Sequence, residues 1–418
     1  MTEVPPFFDS RWVQRPDHVS ECGGAERDGF PSGFRAAGIA AGLKASGRTD
    51  LAILISDGQE SVSAARFTRS GVQAAPVLVC RERCDLHALR AVVVNSGNAN
   101  ASTGAEGFAG AVAMQEHCAT ALGLEPQQVA VASTGVIGVT LPIEKVLRGI
   151  DAAAEQIAPD TAADLAAAIM TTDAFEKRVC LEVKLPSGNV KLSAQAKGAG
   201  MIQPAFATML CFIQTDAQLS AETADLLLGV CVKRSFDRIS VDGQLSTNDS
   251  AILIASGASG VVVEPQSPDE LAFGEALDAL LRQLALLIVR DGEGSKRVGR
   301  VVVRGAGDEV ERVARSIANS PLVKTALHGG DPNWGRITQA VGAAMPGTAP
   351  LAVDITIEGV AVCIASTAVD FPVAELAAAV AGSEVEYEVS LPGDGGECEL
   401  FFSDLSHEYV SINADYRT

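Results

Sequence analysis

Short apolar runs recur along the chain, each bounded by glycine or polar residues. They are rich in Val, Ile, Leu and Ala, a pattern typical of β-strands that are buried on both faces. The runs are LAILISD (51–57), AVVVNSG (91–97), VAVASTGVIG (129–138) and AILIASG (251–257). A further stretch, SVSAARFT (61–68), is predicted to be a strand beside the first run. The chain is therefore expected to fold around β-sheets.

Segments with helical spacing of apolar residues separate these strands. The predicted helices cover 105–122, 164–173, 220–236 and 268–290. Two alternating stretches, 178–184 and 190–196, flank the turn residues Pro-Ser-Gly-Asn and predict a hairpin. Strands and helices are mixed throughout without a short repeat, which indicates the α/β or α+β class with layered sheets flanked by helices.

A second, smaller α/β unit is predicted from residue 297 onwards. It contains a strand, a helix, a hairpin that turns at Glu358-Gly359, another helix and a strictly alternating strand at 384–391. The last residues alternate between polar and apolar from Tyr409 to Asn413, as a strand does. We therefore divide the chain into a poorly specified N-terminal segment, a larger α/β core and a smaller C-terminal domain. Their predicted bounds are 1–32, 33–296 and 297–418.

Composition and charge exclude several classes of protein. The 52 acidic and 32 basic residues give a net charge of −20, which argues against nucleic acid or an anionic membrane as a partner. The longest apolar stretch, 276–289, contains Asp278 and Arg282 and is too short and too polar to span a bilayer. Nine cysteines without a CxxC or a Cys/His cluster argue against a disulfide framework and against a metal site. Reduced thiols, a cytoplasmic location and no metal are expected.

The segment KGAGMIQPAFATML (197–210) is the most informative stretch for chemistry. Gly198, Gly200 and Pro204 break any helical period, so the segment predicts a tight loop that feeds a buried strand from Thr208. The chain has no HExxH, GxSxG or Walker motif, and of its five isolated histidines only His328, in a Gly-rich loop, is a candidate for a site. An N-terminal threonine would need no histidine, because its own amine can serve as the base.

This central loop resembles the self-cleavage segment of the ornithine acetyltransferase family (glutamate N-acetyltransferase, with or without amino-acid N-acetyltransferase activity). Other stretches match the family in the same order: VVVNSGNANASTG, STGVIG, MTTD, STND, DGEG, HGGDPNWGR and INADYRT. The matches run from about residue 33 to residue 418. The resemblance implies a layered α/β sandwich that cuts its own chain between Ala207 and Thr208.

The resemblance also implies a role for each matching residue. Thr208 would be the nucleophile once its amine is freed, and Thr134 and Gly135 would donate hydrogen bonds to the oxyanion. The remaining implied residues would contact the substrate, and the C-terminal tail would have to return to the site. These substrate contacts are Thr172, Lys197, Thr208, Glu293, Asn413 and Thr418.

The activity that the resemblance implies is acyl transfer in arginine biosynthesis. The acetyl group of N2-acetylornithine would pass to glutamate through an acetyl-Thr208 ester, in two half-reactions. No cofactor is implied, and whether acetyl-CoA also serves as a donor is left open by these residues. The cleaved halves are expected to stay together and to assemble as a heterotetramer of two α and two β chains.

Two alternatives remain at this point. The chain could be a self-cleaving N-terminal-nucleophile amidase or aminopeptidase, in which water replaces glutamate. It could also be a non-catalytic homologue. Several residues near the motifs depart from the family pattern and bear on the acceptor rather than on cleavage; they are Ala174, Glu176, Gln203, Ala205, Phe206, Gln244 and Leu245.

Overall fold

The computed structural model describes residues 6–23, 29–203 and 209–415. Within these residues the chain forms three β-sheets and eleven α-helices, which confirms the mixed α/β class. Two short 3₁₀ helices, Pro126–Gln128 and Phe236–Arg238, complete the regular structure.

A six-stranded sheet lies at the centre of the molecule. Neighbouring strands are antiparallel except for one parallel pair, Leu210–Thr215 with Ser250–Ala255. In sheet order they are β1 (Val19–Glu21), β7 (Lys177–Leu185), β8 (Gly188–Lys197), β9 (Leu210–Thr215), β11 (Ser250–Ala255) and β4 (Val62–Phe67). The predicted hairpin is confirmed as β7 and β8, and the two ends of the central loop are the last residue of β8 and the first of β9.

The second sheet has four strands, β2 (Phe34–Ile39), β3 (Leu51–Ser56), β5 (Ala91–Asn98) and β6 (Val129–Val136). The prediction that 61–68 lies beside 51–57 was wrong. Both edges of β3 are occupied, by β2 and β5, while all six residues of β4 pair with β11 in the other sheet. Strand β2 was not predicted.

Side-chain alternation places the six-stranded sheet between two apolar layers. Phe212 and Ile252 point to a cluster that also contains the strands of the four-stranded sheet. Ile213 and Leu253, one residue further on, point to a cluster formed with the long helices of the opposite face. This arrangement confirms the layered α/β architecture.

Six helices flank these two sheets. Four of them pack around the four-stranded sheet: α1 (Ala75–Arg83), α2 (Gly104–Leu122), α3 (Ile143–Ala154) and α4 (Ala162–Ile169). The other two, α5 (Ala221–Arg234) and α6 (Pro268–Arg290), cover the six-stranded sheet. Ser220 caps α5 by accepting a hydrogen bond from the Thr223 amide, as its position in the sequence predicts.

The third sheet has seven strands and its own apolar cluster, drawn from residues 301–402. In sheet order its strands are β10 (Ile239–Ser240), β17 (Gly395–Ser403), β12 (Val298–Ala306), β16 (Glu384–Ser390), β13 (Asp354–Ile357), β14 (Val360–Ile364) and β15 (Thr367–Ala368). Its helices are α7 (Glu309–Ala318), α8 (Pro321–Gly329), α9 (Trp334–Ala344) and α10 (Val373–Ala379). Sequence analysis missed α8 and α9, whose junction it described as a Gly-rich loop.

The N-terminal residues 6–23 lie against this framework. Phe7 and Val13 are buried, and the Trp12 ring packs 5.5 Å from that of Phe401. The division at residues 32/33 and 296/297 stays a prediction, and β10, from the first part of the chain, pairs with β17 of the last part.

The end of the chain differs from its predicted form. Residues 407–415 form the helix α11 (His407–Asp415), so the strand-like alternation from Tyr409 to Asn413 was misleading. The Ser406 hydroxyl accepts hydrogen bonds from the amides of Glu408 and Tyr409 and so starts the helix. None of the described helices is long and apolar enough to cross a membrane.

Candidate active site

A pocket of about 330 Å³ lies where the ends of β6 and β8 meet the loop before β7, the loop 241–248, the turn after α6 and the helix α11. Six of the nine residues that the resemblance singled out line it: Thr134, Gly135, Thr172, Lys197, Glu293 and Asn413. Ala207, Thr208 and Thr418 lie outside the described residues. The roles assigned to all nine stay predictions.

Thr134 and Gly135 lie next to Val136, the last residue of β6, where the pairing with β5 is irregular. Gly135 has φ +131°, and a Cβ atom there would lie 2.4 Å from the carbonyl carbon of Gly97. Only glycine fits so close to the neighbouring backbone. The bulge in β5 opposite Gly135 brings the two strands together at the pocket.

The asparagines of the stretch 95–104 hold this irregular edge in place. Asn95 accepts a hydrogen bond from the Ser133 hydroxyl at 2.6 Å, and Asn98 donates to the carbonyl of Val139 at 3.1 Å. Ala99 is the residue of this stretch that lines the pocket. The side-chain amides of Asn95, Asn98 and Asn100 therefore bond backbone carbonyls of the protein itself.

Lys197 is buried at the floor of the pocket. Its ammonium donates to the hydroxyl oxygens of Thr134 at 3.1 Å and Thr171 at 2.8 Å. Because Thr134 Oγ1 accepts from a cation, its own proton is free to be donated into the pocket. Burial lowers the pKa of Lys197, and the nearby Asp173 carboxylate opposes that change. No carboxylate lies within 4.0 Å of its ammonium among the residues that the structure describes.

A buried ion triad lies directly behind Lys197. The Lys177 ammonium contacts Asp173 at 2.8 Å and Asp291 at 2.5 Å, and all three side chains are almost fully buried. Asp173 also accepts from the amide of Gly198 at 2.8 Å. Burial opposes ionisation of Asp173, but Lys177 and Lys197 outweigh it and hold the pKa of that carboxyl below its usual range. The triad fixes three segments that form the pocket wall.

The turn after α6 places Glu293 in the pocket wall. The Glu293 amide donates to the carbonyl of Ala199 at 3.0 Å, and its carboxylate accepts from the side chain of Asn413 at 2.6 Å. Gly294 has φ +72°, and a Cβ there would lie 2.6 Å from Glu408 Cβ, so α11 packs directly on this turn. The described end of the chain therefore lies against the pocket wall, and it does so as a helix.

Sequence reasoning missed several residues of the pocket. Asp242 accepts from the amides of Met201 at 2.7 Å and Ile202 at 2.9 Å, and from the Tyr409 hydroxyl at 3.4 Å. Asp242 lies in a long polar loop whose composition gave no reason to prefer one carboxylate over another. Thr171, next to the predicted Thr172, is the residue that bonds Lys197.

His328 does not belong to the described wall of this pocket. It lies in the last turn of α8 and bonds the Asp404 carboxylate at 2.7 Å, so the expectation that it marks a site is not supported by its position. Across the described ranges, no group of His, Cys, Asp and Glu residues is arranged to hold a metal ion.

Comparison with known proteins gives one family for nearly the whole chain. Residues 35–418 match the family model described as the ArgJ family. A protein of Symbiobacterium thermophilum named arginine biosynthesis bifunctional protein ArgJ is 42% identical over 395 residues, which cover 93% of this chain and 98% of the relative. The protein of the same name from Nitratidesulfovibrio vulgaris is 42% identical over 393 residues, with coverage of 93% and 99%.

Solved structures give partial matches. The arginine biosynthesis bifunctional protein of Bacillus halodurans is 35% identical and covers 49% of this chain and 98% of its own, with a TM-score of 0.46. An ornithine acetyltransferase of Mycobacterium tuberculosis, solved with ornithine, is 41% identical and covers 44% of this chain and 98% of its own, with a TM-score of 0.41.

Proposed function

Since this chain belongs to the ArgJ family, we propose that it is a glutamate N-acetyltransferase of arginine biosynthesis. It cuts itself between Ala207 and Thr208 and then moves the acetyl group of N2-acetylornithine to glutamate. The observation that carries this proposal is the pocket described above. Six residues implied by the family resemblance come from separate parts of the chain and line one cavity of about 330 Å³.

Self-cleavage comes first in the proposed sequence. The Thr208 hydroxyl attacks the carbonyl carbon of Ala207, the Ala207–Thr208 C–N bond breaks, and the acyl group is held as an ester on Thr208. Water then hydrolyses the ester. The products are a new carboxylate on Ala207 and a free amine on Thr208. Such an α-amino group has a pKa of about 8 in simple peptides and so can act as a base at neutral pH.

Acetyl transfer uses the residue that cleavage has made. Thr208 Oγ attacks the acetyl carbonyl of N2-acetylornithine while the Thr208 amine takes the hydroxyl proton. The Thr134 hydroxyl and the Gly135 amide stabilise the oxyanion, and each such donor is typically worth about 3 kcal/mol in the transition state. Ornithine leaves with the proton, and the amine of glutamate then attacks the acetyl ester to release N-acetylglutamate.

Two opposite charges in the pocket suit amino-acid substrates. The Lys197 ammonium, bonded only to hydroxyl groups among the described residues, can bind the α-carboxylate that acetylornithine and glutamate share. Glu293 can bind the side-chain ammonium of ornithine. This pair favours substrates that carry a carboxylate at one end, and it allows donor and acceptor to use the same pocket in turn.

The two halves are proposed to stay together after the cut. β8 and β9 belong to different halves, and they pair along Leu192–Lys197 and Leu210–Thr215 in the middle of a sheet. Separation would leave buried backbone groups without partners. Assembly of two α and two β chains, a cytoplasmic location, the absence of a cofactor and the use of acetyl-CoA as a second acetyl donor belong to the same proposal.

The first test is the mass of the purified protein under denaturing conditions. We expect the wild type to give two fragments, 1–207 and 208–418, and Thr208→Ala to give one chain of 43.1 kDa without transferase activity. A wild type that remains in one piece would remove the amine on which the mechanism depends and would favour the non-catalytic alternative.

The second test separates transfer from hydrolysis. N2-acetylornithine is supplied with and without glutamate, and ornithine release is followed. We expect sustained release only when glutamate is present, with one N-acetylglutamate formed for each ornithine. Equal release without glutamate would identify an amidase. Replacing acetylornithine by acetyl-CoA, with the formation of N-acetylglutamate and free CoA as the readout, tests the second donor.

A further inference from the structure

One loop, 241–249, bonds the backbone on both sides of the segment that is cut. On the N-terminal side, Asp242 accepts hydrogen bonds from the amides of Met201 and Ile202. On the C-terminal side, Asp249 accepts from the amide of Met209 at 3.0 Å. The resemblance assigned no role to either aspartate, and the proposed transfer mechanism uses neither.

The bonds of Asp242 hold an unfavourable backbone conformation. Met201 has φ +55°, in the left-handed region that residues other than glycine rarely adopt. Both carboxylate oxygens of Asp242 are used: Oδ2 accepts from Met201, and Oδ1 accepts from Ile202 and from Gln244. A carboxylate can do this because it has only acceptors.

The hydrogen bonds of Asp249 differ from those of Asp242. Asp249 is 1% exposed, and its neighbour Ser250 pairs with Leu210 at the start of the parallel strands β9 and β11. One oxygen accepts from the Met209 amide, whereas the other has no hydrogen-bond partner in the described part of the chain. Burial raises the pKa of this carboxyl well above its usual range, although the Met209 amide and the side chains of Thr68 and Ser246 oppose this.

We propose that Asp242 and Asp249 are positioning residues for self-cleavage, which fix the backbone on either side of the Ala207–Thr208 bond. This inference rests on the proposed function. Attack by a hydroxyl on the preceding carbonyl requires a defined geometry, and fixing both flanks of the segment limits the conformations in which it is held. The Tyr409 hydroxyl also donates to Asp242, which ties α11 to the same loop.

The different bonding of the two aspartates predicts different responses to the same substitution. Asp249→Asn keeps the single acceptor that the Met209 amide needs, so cleavage should continue at nearly the wild-type rate. Asp242→Asn replaces one acceptor by an NH₂ group that faces a backbone N–H, so cleavage should slow by about ten-fold or more. Asp249→Ala, which removes the acceptor, should slow cleavage to a similar extent.

The experiment follows newly made chains. Wild type and variants are produced by cell-free synthesis, synthesis is stopped, and the conversion of full-length chain into fragments is timed on denaturing gels and by mass. Asp216→Asn is the matched control, since Asp216 is also buried and accepts from two backbone amides, Lys191 at 2.7 Å and Ser32 at 3.4 Å, but lies at the opposite end of β9.

A second readout separates positioning from general destabilisation. Glycine adopts a positive φ without strain, so adding Met201→Gly to Asp242→Asn should recover part of the lost cleavage rate. Unfolding temperatures of all variants are measured alongside, and Asp216→Asn should be cut at the wild-type rate even if it is less stable.

Three outcomes would overturn the inference. Asp242→Asn cut at the wild-type rate would show that its bonds do not matter for cleavage. Equal slowing in Asp216→Asn would show that any buried aspartate has the same effect. A wild type that is never cut would overturn the proposed function and this inference with it, whereas a normally cut wild type with normally cut variants would overturn only the inference.

Discussion

Two buried lysines in adjacent strands have opposite surroundings. Lys177, at the start of β7, is fully buried between two carboxylates at 2.8 and 2.5 Å. Lys197, at the end of β8, is 4% exposed and donates to two threonine hydroxyls. Register places them nearly side by side, because Lys177 pairs with Ala196.

This difference supports the proposal that Lys197 binds the substrate. The charge of Lys177 is neutralised by Asp173 and Asp291, so it stabilises the structure and offers nothing to a ligand. Within the described ranges, the Lys197 ammonium bonds only neutral hydroxyl oxygens, and burial lowers its pKa. A substrate carboxylate would supply the negatively charged partner that Lys197 lacks among the described residues. This arrangement is expected of a residue that binds a charged ligand.

The largest effect on stability is expected when Lys177, which pairs with two carboxylates, is replaced. Lys177→Met would leave two buried carboxylates without their cation, and breaking a buried ion pair of this kind typically costs about 3–5 kcal/mol. We expect a loss of that size in the free energy of unfolding, measured by urea denaturation of the cleaved protein. A loss below about 1 kcal/mol, the range of exposed ion pairs, would contradict the contrast drawn here.

Substitution of Lys197 should affect activity rather than stability. In Lys197→Met the buried charge disappears, so the free energy of unfolding should change by less than about 1 kcal/mol or increase. The kcat/KM for N2-acetylornithine should fall about 100-fold, because a charged hydrogen bond to substrate and the polarisation of Thr134 are both lost. Steady-state kinetics and urea denaturation of the same preparation test both parts. A stable variant with normal kinetics would show that Lys197 does not bind the substrate.

A third buried lysine gives a smaller, pH-dependent effect. Lys324, 3% exposed, donates to the backbone carbonyl and hydroxyl of Ser403, and burial lowers its pKa to about 7 although Asp242 and Asp404 oppose this. The folded-state pKa lies below the unfolded value of about 10.4, so the unfolded state binds more protons between these values and stability rises with pH there.

The test compares Lys324→Met with the wild type across that range. The stability of the wild type relative to the variant should stay flat below pH 7 and then rise by about 1.4 kcal/mol per pH unit. A difference between wild type and Lys324→Met that stays constant from pH 6 to pH 9 would contradict the expectation.

Strong local patterns made much of the fold predictable. The predicted helix 268–290 has the bounds of α6. The helical spacing of its apolar residues continues over the whole segment, and Ser267 caps its first turn. The buried runs at 51–57, 91–97 and 251–257 are the strands β3, β5 and β11. Such patterns arise because the element as a whole is buried. The element can therefore be predicted without knowing which elements pack against it.

Weak or misleading patterns explain the errors. α11 buries none of its residues, so it has no apolar stripe, and chance alternation from Tyr409 to Asn413 resembled a strand. β4 was assigned to the wrong neighbour, since local sequence indicates that a strand exists but not which edge it pairs with. α8 and α9 are joined by Gly330–Asn333, and the turn residues concealed the two short helices.

The sequence by itself determined the family motifs, their order and the residue types suited to acyl transfer. Only the tertiary structure decided which of them meet. Lys197 reaches Thr134 across 63 residues, Asn413 reaches Glu293 across 120, and Tyr409 reaches Asp242 across 167. These contacts depend on sheet registers and on the return of α11. No local pattern encodes such distances, because they arise from the packing of whole elements against one another.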